Sequence, residues 1–217
     1  MRFGVLGTGH AGAIIASKLV ALGHEVTMGS RSSGNEKAVA WASSAGQNAH
    51  HGTFREAAAF GEIVINVTAG GSSLEALQSA GAENLDGKVL IDVANPLAGD
   101  GFPPTLVMCN SDSLGEQIQR AFPGARVVKA LNTVTASVMV NPGMIAGGHN
   151  VFIAGNDASA KATVNTLLQS FGWAARDVVD LGDISCARGA EMYMPLWIRL
   201  YIALGTPNFN IRIVREP

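Results

Sequence analysis

The first thirty residues set a pattern of apolar and polar positions that recurs along the chain. A short apolar run, Phe3-Gly4-Val5-Leu6, breaks into Gly7-Thr8-Gly9-His10-Ala11-Gly12. Behind it, Ile15, Leu19 and Leu22 are spaced to line one face of a helix that stops at Gly23, and a second extended run, Glu25–Met28, follows. Strand-length runs then alternate with helical patterns. Strands are predicted near His50–Thr53 and over Glu62–Thr68, Lys88–Val93, Arg126–Leu131, Val151–Ala154 and Val178–Leu181. Helices are predicted where Ala38, Trp41, Ala42 and Ala45 share a face, and over Phe54–Phe60, Ser72–Ser79 and Leu114–Phe122. Another follows Asp157, whose carboxylate caps a face of Ala160, Val164, Leu167, Leu168 and Phe171. The density of Ile63, Val64, Ile65 and Val67 suits a strand buried on both faces, as parallel strands covered by helices are. The expected fold is α/β, a doubly wound, mostly parallel sheet with a small C-terminal helical segment. Ser185–Gly205 supplies that segment, with a kink at Pro195. Gly99–Asn110 and Met139–His149 read as loops, and Asn208–Val214 as an extended tail.

A GxGxxG set between a strand and a helix, at the start of a compact βαβ, points to a Rossmann dinucleotide site. Gly7 permits the tight turn, Gly9 lets the backbone approach a pyrophosphate, and Gly12 lets the helix pack close to the sheet. The helix N-terminus, with Thr8, His10 and Ala11 around it, offers amide donors and a partial positive charge to the phosphates. The end of the second strand decides which dinucleotide is bound. An NAD site wants an acid there for the ribose 2′-hydroxyl, whereas this chain has Gly29-Ser30-Arg31. Arg31 can clamp a 2′-phosphate through parallel charge-assisted bonds, with Ser30 and Thr8 as helpers and Lys37 as a looser candidate. The expected cofactor is therefore NADP(H); an ordinary polar turn is the other reading of Ser30-Arg31.

Composition narrows the partners. The 217 residues are 47% hydrophobic and 15% charged, enough for a sizeable core, and the net charge of −2 gives no basic field for nucleic acid. Cys109 and Cys186 lie far apart and form no CxxC, which fits reduced thiols in a cytoplasmic protein. No signal peptide is visible, and the apolar stretch Met192–Gly205 is too short for a membrane span. His50 and His51 have no further ligands clustered nearby, so no metal site is expected.

The loops after successive strands hold the remaining candidates. Thr68-Ala69-Gly70 follows the fourth strand and Asn95-Pro96-Leu97 the fifth, both at the edge that faces ligands in open α/β sheets. Asn95 reads either as a partner for a carboxamide or ribose or as a turn-forming Asn-Pro. Asn132 follows the sixth strand. Lys129, within that strand, points away from Val128 and Ala130 by alternation, so a structural role weighs at least as much as a catalytic one. No nucleophile–base pair stands out, and no catalytic side chain is assigned. Residues 1–155 are expected to form the NADP-binding domain, and 156–217 a segment for substrate and dimer contacts.

With these residues placed, the chain resembles the NADPH-dependent reductases of the deazaflavin coenzyme F420, whose nucleotide-binding module also occurs in the cytoplasmic part of the STEAP metalloreductases. Its landmarks are Gly7–Gly12, Gly29-Ser30-Arg31, Asp92–Leu97, Val127–Thr133, and a C-terminal stretch from Leu181-Gly182 through Ser185, Arg188, Glu191 and Pro195-Leu196-Trp197. The resemblance implies that Thr8, Ser30 and Arg31 hold the 2′-phosphate. It also implies that the C-terminal region completes an acceptor pocket in a homodimer. Two loops depart from the family pattern: Asn132-Thr133 stands where His-Thr is usual, and Ala69-Gly70-Gly71 where a proline is usual. The leading expectation is hydride transfer between NADP(H) and F420. The alternatives are NADPH-dependent reduction of a flavin, a ferric chelate or a small imine or carbonyl, and non-catalytic NADPH sensing.

Overall fold

The computed structural model describes residues 1–98 and 101–216. Residues 99 and 100, the start of the expected Gly99–Asn110 loop, and residue 217 lie outside the described residues. The strands are β1 (Arg2–Leu6), β2 (Glu25–Ser30), β3 (Ala49–Thr53), β4 (Ile63–Asn66), β5 (Val89–Asp92), β6 (Arg126–Ala130), β7 (Val151–Gly155) and β8 (Val178–Asp180). The helices between and after them are α1 (His10–Ala21), α2 (Glu36–Ala45), α3 (Phe54–Phe60), α4 (Ser73–Ala80), α5 (Leu114–Ala121), α6 (Ala136–Val140), α7 (Ala158–Phe171), α8 (Ala187–Met192) and α9 (Met194–Leu204). One sheet in the order β3-β2-β1-β4-β5-β6-β7-β8 takes in all eight strands. Every neighbouring pair is parallel except β6 and β7. The sequence-predicted doubly wound, mostly parallel sheet is thus the fold observed.

Side-chain alternation builds two apolar layers, one on each face of the sheet. Phe3, Val5, Ile63, Ile65, Val89, Ile91, Val128 and Ala130 pack with Ile15, Leu19, Leu168 and Phe171 of α1 and α7. Leu6, Val64, Leu90 and Val127 pack on the other face with Phe54, Leu77, Leu114 and Ile118 of α3, α4 and α5. Lys129 belongs to this second face, pointing away from Val128 and Ala130 as its place in the strand predicts.

Local chemistry sets the helix ends. Thr53 and Glu56 form a reciprocal capping box at the start of α3. Asp157 caps α7 by accepting from the Ala160 amide at 2.7 Å. Near the C-terminus, the single kinked helix expected from the pattern is two helices that meet at Tyr193. Pro195 stands in the first turn of α9, where its missing N–H costs nothing, and it denies the preceding turn a backbone donor. The tail has no strand, but Asn150 fastens it: the Asn150 amide donates to the Ile211 carbonyl (2.9 Å), and the Ile213 amide donates to Asn150 Oδ1 (2.7 Å).

Candidate functional site

Strand order reverses between β1 and β4, so their carboxyl ends diverge and open a cleft at that edge. The β1–α1 turn forms its floor. Gly7 has φ +127°, and a Cβ there would lie 2.6 Å from the Val67 carbonyl oxygen, so only glycine fits. A Cβ on Gly12 would run into the Gly7 carbonyl, so α1 settles onto the turn because position 12 carries no side chain. Gly9 differs: no atom of the described residues lies within 4 Å of where its Cβ would stand. Packing therefore does not require glycine there, whereas close approach of a pyrophosphate does. Ala13 donates to the Gly9 carbonyl at 3.0 Å, which leaves the amides of His10, Ala11 and Gly12 without acceptors inside α1. No side chain caps them. These groups fit a phosphate-bearing cofactor.

The cleft, of about 200 Å³, is lined by Gly7 and Thr8 after β1, Ser30 and Arg31 after β2, and Thr68 and Ala69 after β4. Arg31 is exposed and forms no ion pair among the described residues. Ser30 is buried, and its hydroxyl donates to the Ser32 carbonyl at 2.6 Å, so it must turn to serve a ligand. Lys37 is exposed on α2 and does not line the cleft. The wall has members that sequence reasoning missed: Asn35, Phe54, Ser72, Glu75, Ala76 and Ser79. Asn35 was legible only as the cap of α2, and its Oδ1 does accept from the Ala38 amide (3.1 Å). Nothing in the spacing of α3 and α4 marks which of their residues overhang β1.

The other candidates lie further along the same edge and touch one another. A Cβ on Gly70 would collide with the Asn95 carbonyl, so the loops after β4 and β5 press together there. Asn95 and Asn132 exchange bonds. Asn95 Nδ2 donates to the Asn132 carbonyl (2.8 Å), and Asn132 Nδ2 donates to Asn95 Oδ1 (2.9 Å) and to the Ala190 carbonyl of α8 (3.0 Å). Asn132 Oδ1 is buried with no hydrogen-bond partner among the described residues. Pro96 is buried beneath this pair, and Leu97 bridges to Leu106. His50 and His51 take local roles: His50 packs edge-on against Phe60, and His51 Nδ1 lies 3.0 Å from the Ser33 carbonyl.

Directly behind these loops Lys129, Asp92 and Glu191 form a buried charged cluster. Lys129, 1% exposed, donates to Asp92 Oδ2 and to Glu191 Oε1, each at 2.7 Å, and to the Ala94 carbonyl. Burial pushes the Lys129 ammonium down, but Asp92 and Glu191 push it further the other way and hold it above the ordinary lysine range. Asp92 ends β5 and Lys129 is its register partner on β6, so that pair could be anticipated from strand assignments. Glu191 arrives from α8, which only the tertiary fold brings near.

The relatives agree with the geometry. A family model described as NADP oxidoreductase, coenzyme F420-dependent, matches residues 2–96. The F420-dependent NADP reductase of Methanothermobacter marburgensis is 30% identical over 231 residues, covering 100% of both chains. This chain belongs to that family. It is an NADP-dependent oxidoreductase. Family resemblance extends to a crystal structure from Arthrobacter sp. FB24, provisionally named an F420-dependent NADP reductase. That chain is 54% identical, with a TM-score of 0.92 over 99% of this chain and 100% of its own. The rat metalloreductase STEAP3 is 30% identical over 100% of this chain, which spans only 43% of that relative's length. Among the described residues, no helix is long and apolar enough to cross a membrane.

Proposed function

We propose that this member of the family transfers hydride between NADP(H) and the deazaflavin coenzyme F420. The observation that carries the reading is the end-to-end match to an F420-dependent NADP reductase, joined to a cleft with an unpaired arginine and no acid at the end of β2. Arg31, assisted by Thr8 and Ser30, takes the 2′-phosphate, and the free amides of His10, Ala11 and Gly12 take the pyrophosphate. The chain of loops through Thr68, Ala69, Gly70, Asn95, Pro96, Leu97 and Asn132 borders the nicotinamide, with Asn132 Oδ1 as the acceptor left for a carboxamide N–H. NADPH, when bound, supplies the hydride. The protein has to align two rings and exclude water, which needs shape and fixed dipoles in place of a nucleophile or general base.

The C-terminal segment, 156–217, completes the acceptor side and joins two copies. Leu196, Ile202 and Leu204 on α9 are 55%, 47% and 56% exposed, while Met194 and Ile198 anchor the helix in the fold. Exposed apolar side chains gathered on one short helix suit an isologous contact between copies. The likeness to STEAP3 supports a second reading, in which flavin or a ferric chelate receives the electrons. NADPH absorbance followed with F420, FMN, a ferric chelate or nothing added separates the readings. A fall that requires F420 supports the proposal, and a fall with FMN or ferric chelate but not with F420 replaces it with the second.

A further inference from the structure

One side chain sits at the centre of a buried polar network that joins the loops after β4 and β5 to α8. Asn66, Asp92 and Lys129 are register partners across β4, β5 and β6, the last polar positions of those strands on one sheet face. Asn66 Nδ2 donates to Asp92 Oδ1 (2.8 Å) and to Ser73 Oγ (3.0 Å), and Asn66 Oδ1 accepts from the Thr68 hydroxyl (2.7 Å). Asp92 Oδ1 also accepts from the Ala94 amide (3.2 Å). Beyond Lys129, Glu191 accepts from the amides of Leu114 (2.9 Å) and Gly115 (3.1 Å) at the start of α5. The network therefore runs from the loop after β4, through the loop after β5, to α8 and α5. Lys129 is the link between its two halves.

Packing alone does not call for such a group. Withdrawing three charged side chains from water is unfavourable unless their pairing is complete, and an apolar residue of similar volume fills a core at least as well. The backbone beside it carries a second signal. Leu131, bulky and buried, has φ +63°, a conformation that persists only where its surroundings over-determine it. Lys129 anchors the chain on one side of Leu131. On the other, Asn132 is held by Asn95 and by the Ala190 carbonyl. The left-handed turn aims Asn132 at the loop after β5.

We propose that Lys129 is a positioning residue for the nicotinamide half of the cofactor, tying the loops at 66–73, 92–97 and 131–133 and helix α8 into the single arrangement that receives the ring. The proposal rests on reading the cleft as an NADP(H) site. It assigns Lys129 no contact with the cofactor and no proton transfer.

The test uses two ligands that differ by the nicotinamide half. 2′,5′-ADP carries only the clamp end, and NADPH carries both ends. Each is titrated into the wild-type chain, Lys129→Met and Glu191→Gln, and hydride transfer from NADPH to added F420 is followed at saturating NADPH. In Lys129→Met, 2′,5′-ADP affinity should stay within about twofold. NADPH affinity and the turnover rate should each fall by roughly tenfold or more, since the loss is confined to half of the ligand. Glu191→Gln, which keeps the shape and one acceptor, should show the same split in weaker form. Equal weakening of both ligands would mean that Lys129 serves the whole fold, and an unchanged NADPH affinity and rate would mean that it positions nothing; either result overturns the proposal. Should Lys129→Met not fold, Glu191→Gln decides alone, and wild-type behaviour there overturns it. Wild-type protein that binds neither ligand refutes the cofactor reading itself, and the proposal with it.

Discussion

Arg31 has no partner of its own and stands at the rim of the cleft, so removing it should subtract ligand contacts and little else. Arg31→Ala is expected to weaken NADPH by roughly tenfold to a hundredfold, the loss of about 1.5–3 kcal/mol in charge-assisted bonds, while NADH binding barely changes. Fluorescence titration with both nucleotides checks this, and equal affinity of the wild type for NADH and NADPH would refute it. Gly9 gives the complementary case. No atom of the described residues approaches its missing Cβ, so Gly9→Val should fold normally yet fail to bind. A thermal shift with NADPH equal to that of the wild type would show that the pyrophosphate lies elsewhere. The places of these two residues at the cleft were legible because a backbone motif carries its own geometry. Lys129 was legible in direction only. Alternation turned it toward the second layer, but its partner Glu191 is remote in sequence, and no local pattern pairs the two.

Among the elements, α5 and α8 are joined through the carboxylate of Glu116. Ser113 caps α5 by accepting from the Glu116 amide (3.1 Å) and donating to Glu116 Oε2 (2.7 Å), and Arg188 of α8 grips the same carboxylate from outside (2.8 Å from Nε). Ser113→Ala should lower stability by about 1 kcal/mol in urea unfolding, the usual cost of a lost cap. Arg188 holds the Glu116 carboxyl below the ordinary glutamate range, against the opposing effect of burial, with Ser113 assisting. Because that pKa is lowered in the folded state, the contribution is complete above the unfolded value and is lost as pH falls through the folded one. Protection factors for amides in α5 and α8 should accordingly fall in acid before those of the central strands; a uniform fall across the chain would contradict this. The elements themselves were readable, since all eight strands and the long helices show their period. α6 was not, because five residues hold too little of a helical repeat to register. The division at Tyr193 was also hidden, because Pro195 marks a disturbance without saying whether the helix bends or restarts.

At the scale of the whole molecule, the exposed apolar side chains of α9 predict a dimer. Sedimentation at micromolar concentration should show two chains together, and Leu196→Asp combined with Ile202→Asp should give monomers that still bind NADPH. A wild-type monomer that turns over at full rate would remove both the dimer and the role of α9 in closing the site. Periodicity showed that α9 is apolar around most of its circumference, but it could not say which side the sheet would cover. Arg199, in the midst of this apolar helix, is exposed and makes no bond among the described residues, as is common for long arginines at a surface. A different consequence follows from the reversal of β7 against β6. Val128 pairs with Gly155 and Ala130 with Ile153, so the segment entering β7 emerges beside the exit of β6, on the rim where the cleft opens. β8 runs with β7, and its entry shares that rim. Chain lengthened just before either strand therefore grows toward the second substrate, whereas chain lengthened just after β7 grows toward the far side. Insertions at these two junctions would reshape that rim and leave the β1–β4 half of the sheet as it is.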